Sequence, residues 1–154
     1  MALLELEDVH TYYGEAHILQ GVSLTVGEGE VVSLIGRNGA GKTTTLRSVM
    51  GVARPARGRV RLRGEDLTRR PTHEIVRRGI AWIPEERRVL PNLTEILAAI
   101  NRGGTTILLV EQTLEVALAL SRRVYVMDQG RIQFQGTPEA LRKDPTIQQR
   151  FLEV

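Results

Sequence analysis

The chain has 154 residues, 42% hydrophobic and 25% charged, with a formal net charge of +3 and no cysteine. That length holds one domain with a substantial core, and the missing cysteines exclude disulfides, thiolate zinc sites and cysteine nucleophiles. No apolar run approaches the roughly 20 residues of a membrane helix, and Met1-Ala2-Leu3-Leu4-Glu5 lacks the basic lead-in of a secretory leader, so a cytoplasmic protein is expected. From Leu4 to Val9, Leu4 and Leu6 alternate with Glu5 and Glu7. Val22, Leu24 and Val26 alternate again before the turn Gly27-Glu28-Gly29-Glu30, so both stretches predict half-buried strands. Val31-Val32-Ser33-Leu34-Ile35 is a continuous apolar strand, and a helix is predicted from Thr43 to about Val52, with Leu46, Val49 and Met50 at helical spacing. Arg59, Arg61 and Arg63 alternate with Val60 and Leu62 as a strand with one solvated face. Pro71 opens a short helix that Gly79 stops. Ile80-Ala81-Trp82-Ile83 predicts a short buried strand, followed by a charged loop from Pro84 to Pro91. Thr94 is placed to cap a helix from Glu95 to Asn101, ended by Gly103-Gly104. Thr105 to Val110 is a strand, Thr113 to Ser121 an amphipathic helix, and Val124 to Met127 a strand that turns through Asp128-Gln129-Gly130 into Ile132 to Gln135. Thr137-Pro138-Glu139 starts a short helix, and the tail reads as helix, proline break, helix. The whole predicts one α/β domain over 1–154, a parallel sheet of βαβ units with a flanking antiparallel β layer.

The segment between the apolar strand and its helix carries the chemistry. Gly36-Arg37-Asn38-Gly39-Ala40-Gly41-Lys42-Thr43 is a complete Walker A phosphate loop, with Thr44 following. Its glycines let backbone N–H groups approach phosphate oxygens that a Cβ would hold off. The helix N-terminus adds partial positive charge. Lys42 is expected to reach the β- and γ-phosphates of ATP and the Thr43 hydroxyl to ligate Mg²⁺. The glycine spacing does not suit a dinucleotide fold.

Seven arginines lie between Arg54 and Arg70. They raise the question of nucleic acid, but no aromatic residue interleaves with them to stack on bases, and a solvated strand face accounts for them.

With these segments in order, the chain resembles the ATP-binding subunits of ABC transporters, and within them the branched-chain amino-acid importer ATPases. Tyr12-Tyr13-Gly14 looks like the family's A-loop, in which an aromatic ring stacks on adenine, and Tyr13 is the residue that the match indicates. Ile83 to Thr94 resembles the Q-loop region, with Glu85 where most members carry Gln; the resemblance gives Glu85 a part in reading Mg²⁺ or water near the γ-phosphate. Thr105 to Gln112 is similar to the strand ending in the H-switch, with Gln112 in place of the usual His. A Gln can hydrogen-bond a phosphate but cannot shuttle a proton. His10, His17 and His73 lie outside every motif. The resemblance implies ATP and Mg²⁺ as ligands, membrane permease subunits and a second ATP-binding subunit as partners, no contact with the solute, and a place on the inner face of the membrane.

The chain also departs from that family. The inserted helical subdomain, the Leu-Ser-Gly-Gly-Gln signature loop, the Walker B strand and the D-loop have no counterpart. Asn92-Leu93-Thr94 runs straight into a stretch resembling the helix after Walker B, as an internal deletion near 94–103 would leave it. Glu111 and Asp128 each end an apolar strand, and Glu111 is the candidate for an outer-shell Mg²⁺ ligand. The loss implies weak ATP binding and negligible hydrolysis by this chain alone. Two other functions fit less of the sequence: a nucleotide-dependent regulatory or interaction module, and a nucleic-acid-associated ABC-type ATPase. A P-loop kinase would need a lid and a second substrate pocket, and neither is recognisable.

Overall fold

A computed structural model describes residues 2–82, 92–112 and 114–152. Among these residues the strands form two four-stranded sheets. In the first, β1 (Ala2–Tyr13) and β2 (Ala16–Gly27) make a long hairpin. β4 (Arg57–Leu62) pairs antiparallel with β1, and the short β5 (Glu65–Asp66) closes that edge. The alternation holds: Leu4, Leu6, Val22, Leu24, Val26 and Val60 are buried while Glu7 and Arg59 face solvent.

The second sheet has the order β6-β3-β7-β8. β3 (Val31–Ile35) lies at its centre, buried along its length. It is parallel to β6 (Ile107–Glu111) on one side and to β7 (Arg123–Asp128) on the other. A strand covered on both faces reads as an unbroken apolar run, as Val31 to Ile35 does. β8 (Arg131–Gly136) returns antiparallel to β7 through a two-residue turn in which Gln129 and Gly130 both have positive φ. That is the geometry a right-twisted hairpin requires.

Among the described residues six short helices surround the sheets: α1 (Lys42–Val49), α2 (Thr72–Arg77), α3 (Leu93–Arg102), α4 (Leu114–Leu120), α5 (Pro138–Arg142) and α6 (Pro145–Phe151). Thr137 caps α5 by accepting from Ala140 N at 3.1 Å, and Asp144 caps α6 by accepting from Ile147 N at 3.1 Å. Each helix has proline in its first turn, where no N–H bond is lost. No helix among the described residues is long and apolar enough to cross a membrane.

Two expectations fail locally. Residues 80–82 form no strand; Ala81 is exposed, and Ile80 and Trp82 are half-buried against the core. Among the described residues no strand pairs with residues 80–82, and β6 is left as the edge of its sheet. Ile83 and the loop 84–91, including Glu85, lie outside the described residues. Thr94 is not a cap. α3 begins earlier, with Asn92 at the N-cap position in the left-handed conformation (φ 65°) and no side-chain capping bond.

The sheets are joined by more than apolar contact. Arg123 at the start of β7 donates to both carboxylate oxygens of Glu30, at 2.7 and 2.8 Å, and to Thr25 O of β2 at 2.7 Å. Glu30 also accepts from Gly27 N at 2.8 Å. These bonds, Arg123 foremost, hold the Glu30 carboxyl below its ordinary value against the opposing effect of burial. The core that this clamp closes combines Leu19, Val22 and Leu24 of the first sheet with Val32, Leu34 and Met127 of the second.

Candidate nucleotide site

The phosphate loop leaves β3 at Gly36. A Cβ there would stand 2.4 Å from Met127 O, so only glycine lets the chain leave the sheet pressed against β7. At Gly39 (φ 85°) the opposite condition holds, for nothing lies within 4 Å of the position a Cβ would take. The loop is packed on one side and open on the other, as a cradle for an anion must be. It is closed by Ala40 N donating to Arg37 O at 3.2 Å, and α1 begins immediately after Gly41 (φ 111°). No side chain caps α1, so its first-turn N–H groups and the positive end of its dipole are presented to the cleft.

Lys42 is buried, 7% exposed, with its ammonium donating to Gly36 O and, at 3.2 Å, to Glu111 O. Two carbonyls at the ends of adjacent strands thus position the charge. Thr45 donates its hydroxyl to Gly41 O at 2.8 Å, which locks the first turn.

A cleft of about 240 Å³ opens over this loop. Asn38, Gly39, Gly41, Lys42, Thr43 and Thr44 line its floor, Tyr13 and Ile18 one wall, and Val110, Glu111 and Gln112 the other. The sequence-predicted Tyr13, Lys42, Thr43, Thr44 and Gln112 therefore converge on one space. Gln112 donates through Nε2 to Asn38 Oδ1. Tyr13 comes from the tip of the β1–β2 hairpin, and its hydroxyl accepts from Thr44 Oγ1 and from Arg47 of α1, both at 3.3 Å. Burial alone would raise the pKa of this phenol; the two hydrogen bonds and the Arg47 charge outweigh it and hold it below the ordinary value. Tyr12 has a different environment. Its ring stacks on His17 with centroids 4.2 Å apart and planes 7° apart.

Three members of the motif stand back from the cleft. Gly36 is buried against β7, Ala40 is buried under the loop, and the Arg37 guanidinium donates to Gln149 O and Leu152 O, both at 3.1 Å, at the end of α6. Arg37 therefore braces the loop against the C-terminal helix through its side chain. One supporting residue was not recognised from sequence. Gly130 N donates to Ala40 O at 2.8 Å, Gly130 O accepts from Gln20 N at 2.9 Å, and Gly130 Cα lies 3.5 Å from where a Gly41 Cβ would be. The Asp128-Gln129-Gly130 hairpin thus buttresses the phosphate loop from below.

The residues present fit a magnesium nucleotide. A loop with bare N–H groups, a buried ammonium and a helix N-terminus form a phosphate cradle. Thr43 and Glu111 are among the residues with side-chain oxygens that line the same cleft. Among the described residues no group of three or more His, Asp or Glu side chains could hold a metal unaided.

A strand, a phosphate loop and a helix at the centre of a parallel sheet, with an aromatic ring above, define a P-loop nucleotide-binding domain. Comparison with known proteins places it further: the ABC transporter family matches residues 19–130, and the chain belongs to that family. It is 28% identical to the high-affinity branched-chain amino acid transport ATP-binding protein BraG of Pseudomonas aeruginosa, over 97% of this chain and 99% of that one. That alignment runs over 231 positions, so a large block of the relative has no counterpart here. It is 39% identical to the lipopolysaccharide export system ATP-binding protein LptB of Haemophilus influenzae, over 61% of this chain and only 39% of the length of LptB. A solved nucleotide-free ATP-binding cassette of an ABC transporter superposes with a TM-score of 0.84 over 96% of this chain and 97% of that one, at 20% identity, which establishes the fold. The chain is built as an ATP-binding subunit of this family, whose members bind ATP and work with membrane permease subunits.

Proposed function

We propose that this chain is the ATP-binding subunit of an ABC importer for branched-chain amino acids, and that it binds MgATP in the cleft between Tyr13 and the phosphate loop. The observation that carries the reading is the convergence of Tyr13, Lys42, Thr43, Thr44, Glu111 and Gln112 on that single space. Tyr13 offers its ring to the base. The first-turn N–H groups of α1 and the Lys42 ammonium take the phosphates. Thr43 and Glu111 flank the place of the cation, which when bound would neutralise phosphate charge. Gln112, which donates to Asn38, is assigned a hydrogen bond to the terminal phosphate by its place in the motif. Glu85 is assigned the Q-loop part by resemblance only. The importer assignment is supported by the end-to-end similarity to BraG, and the shorter match to LptB argues for the same cleft with a different cargo. The permease and a second ATP-binding subunit are the partners, and the inner face of the membrane is the place.

The chain alone binds ATP weakly and hydrolyses it negligibly. The block absent relative to BraG takes in the segments that would orient water and close over the nucleotide of a partner subunit. Loss of such positioning costs several orders of magnitude in rate. The test is calorimetric titration of the purified chain with MgATP, beside Lys42→Ala, with phosphate release measured on the same samples. Saturable binding lost in Lys42→Ala, without turnover, is the expected result. Lys42-dependent turnover at the rate of complete subunits would overturn the assignment of negligible hydrolysis. Absence of any MgATP binding would overturn the reading of the cleft. Reconstitution with candidate permease subunits, read as leucine uptake against lipopolysaccharide extraction, tests the cargo.

A further inference from the structure

A larger cavity than the nucleotide cleft lies away from it, about 500 Å³ between the first half of β4 and the turn from Asp66 to Arg70. Three guanidinium groups line it, those of Arg59, Arg69 and Arg70, against one carboxylate, Asp66. The lining therefore carries two positive charges in excess. Its wall is firmly built. Leu67 N donates to Val60 O at 2.7 Å, Val60 N to the Thr68 hydroxyl at 2.9 Å, and Arg70 N to Leu67 O at 3.0 Å. Asp66 accepts from both the backbone N–H (2.9 Å) and the hydroxyl of Thr68 through one oxygen, Oδ1. Those bonds, followed by the Arg59 and Arg61 charges, hold its carboxyl below the usual range.

The surrounding arginines have partners. Arg61 reaches Glu7 at 2.8 Å, Arg63 reaches Glu28 at 3.5 Å, and Arg78 reaches Glu65 at 2.7 Å. Arg70 reaches Glu74 at 3.4 Å. Arg59 and Arg69 meet no carboxylate at ion-pair distance among the described residues, and both face the concavity. A solvated strand face explains alternating arginines on a convex surface. It does not explain two forks from different elements on one hollow, neither in an ion pair among the described residues.

We propose that this groove is a second anion site, taking a small molecule that carries one or two phosphate groups as a doubly charged anion. Two planar forks suit phosphate oxygens. No aromatic residue lines the groove to stack a base, which disfavours a nucleic-acid strand. The groove shares no residue with the nucleotide cleft, so the two sites fill independently.

The probe is inorganic pyrophosphate, titrated calorimetrically into three chains: the native one, Lys42→Ala, and Arg59→Glu/Arg69→Glu. The two arginines are exposed, so the double variant retains its fold, checked by circular dichroism and melting temperature. The native chain saturated with MgATP should still take up one pyrophosphate, as should Lys42→Ala. The double charge reversal should weaken this binding by roughly tenfold or more while leaving MgATP binding intact. Arg59→Lys/Arg69→Lys should retain part of it, because charge remains and the forks are lost. Pyrophosphate affinity unchanged by the charge reversal would overturn the proposal. So would pyrophosphate uptake that MgATP abolishes entirely, or tighter binding of a single-stranded DNA oligonucleotide with a steep salt dependence through the same arginines. Because the readout is separate from the nucleotide cleft, its failure leaves the ATP reading standing.

Discussion

Gly130 gives the most searching test of how the phosphate loop is held. It has φ 75°, and a Cβ there would stand 1.9 Å from Ile18 O. Left-handed backbone costs an ordinary residue roughly 1–2 kcal/mol. Relieving the contact requires the turn to move by more than an ångström, which breaks the bonds Gly130 N to Ala40 O and Gln20 N to Gly130 O. Each is worth about 0.5–1.5 kcal/mol. Gly130→Ala should therefore cost about 2–5 kcal/mol, out of a total stability on the order of 5–15, and lower the melting temperature by about 5–20 °C. Since Ala40 is bonded directly to this turn, MgATP affinity should fall as well, although Gly130 is not among the residues that line the cleft. Urea denaturation and calorimetry on the same variant read both quantities. Gly39→Ala is the internal control for stability alone, since Gly39 lines the cleft: φ is equally positive at 85° but nothing lies within 4 Å, so only the backbone strain of roughly 1–2 kcal/mol applies. Gly130→Asn separates the two causes, because Asn tolerates the dihedral yet carries the same Cβ. If Gly130→Ala cost under about 1 kcal/mol and left MgATP affinity unchanged, the buttress would be disproved. If Asn restored stability, the dihedral rather than the contact would be the cause.

Two further predictions concern the cleft and the clamp. Tyr13→Ala should weaken adenine nucleotide binding by about 1–3 kcal/mol, the scale of one base–aromatic stack, while Tyr12→Ala, whose ring is engaged with His17, should leave it unchanged; equal losses in the two variants would contradict the assignment. Glu30→Gln should destabilise the fold by about 1–2 kcal/mol, the value of charge-assisted bonds reduced for the partial exposure of Arg123. Because the folded pKa of Glu30 is lowered, its contribution is complete above the ordinary carboxylate value of 4.5 and is lost as pH falls below that toward the folded value. Acid unfolding of the native chain should thus be steeper below about pH 4.5 than that of Glu30→Gln, and parallel curves would show that the pair contributes nothing.

The phosphate loop was legible because its chemistry is local: glycines, lysine and threonine act where the chain places them, between an apolar strand and a helix. Tyr13 was indicated by resemblance, through Tyr12-Tyr13-Gly14, and it lies at the end of β1 on the wall of the cleft. What escaped was long-range. Arg123 meets Glu30 across 93 positions, and Gly130 supports Ala40 from another strand pair; neither partner marks the other in sequence. Arg37 sits inside the motif, yet its side chain belongs to the C-terminal helix, because a loop residue's direction is set by what lies beside it. The strand expected from residue 80 had apolar residues and, over the described residues 80–82, no ladder, and a strand exists only in pairing. α3 starts at Leu93 rather than after Thr94 because Asn92 adopts the left-handed conformation at its start, which asparagine tolerates better than most residues.

The cleft draws on both sheets. The ring comes from the tip of the antiparallel hairpin, the phosphate donors from the centre of the parallel sheet, and the Gly130 turn and the Glu30–Arg123 pair tie the two together. A nucleotide that engages Tyr13 and Lys42 at once bridges these layers and stabilises each against the other. A ligand binding only the folded state adds RT ln(1 + [L]/Kd), about 2.7 kcal/mol at a hundredfold excess over Kd. A triphosphate lacking the base would engage only the second sheet. The increment in melting temperature from ATP over tripolyphosphate, at equal ligand concentration, therefore measures how much the base end adds to binding of the folded chain. Tyr13→Ala should erase that increment while leaving the tripolyphosphate effect untouched.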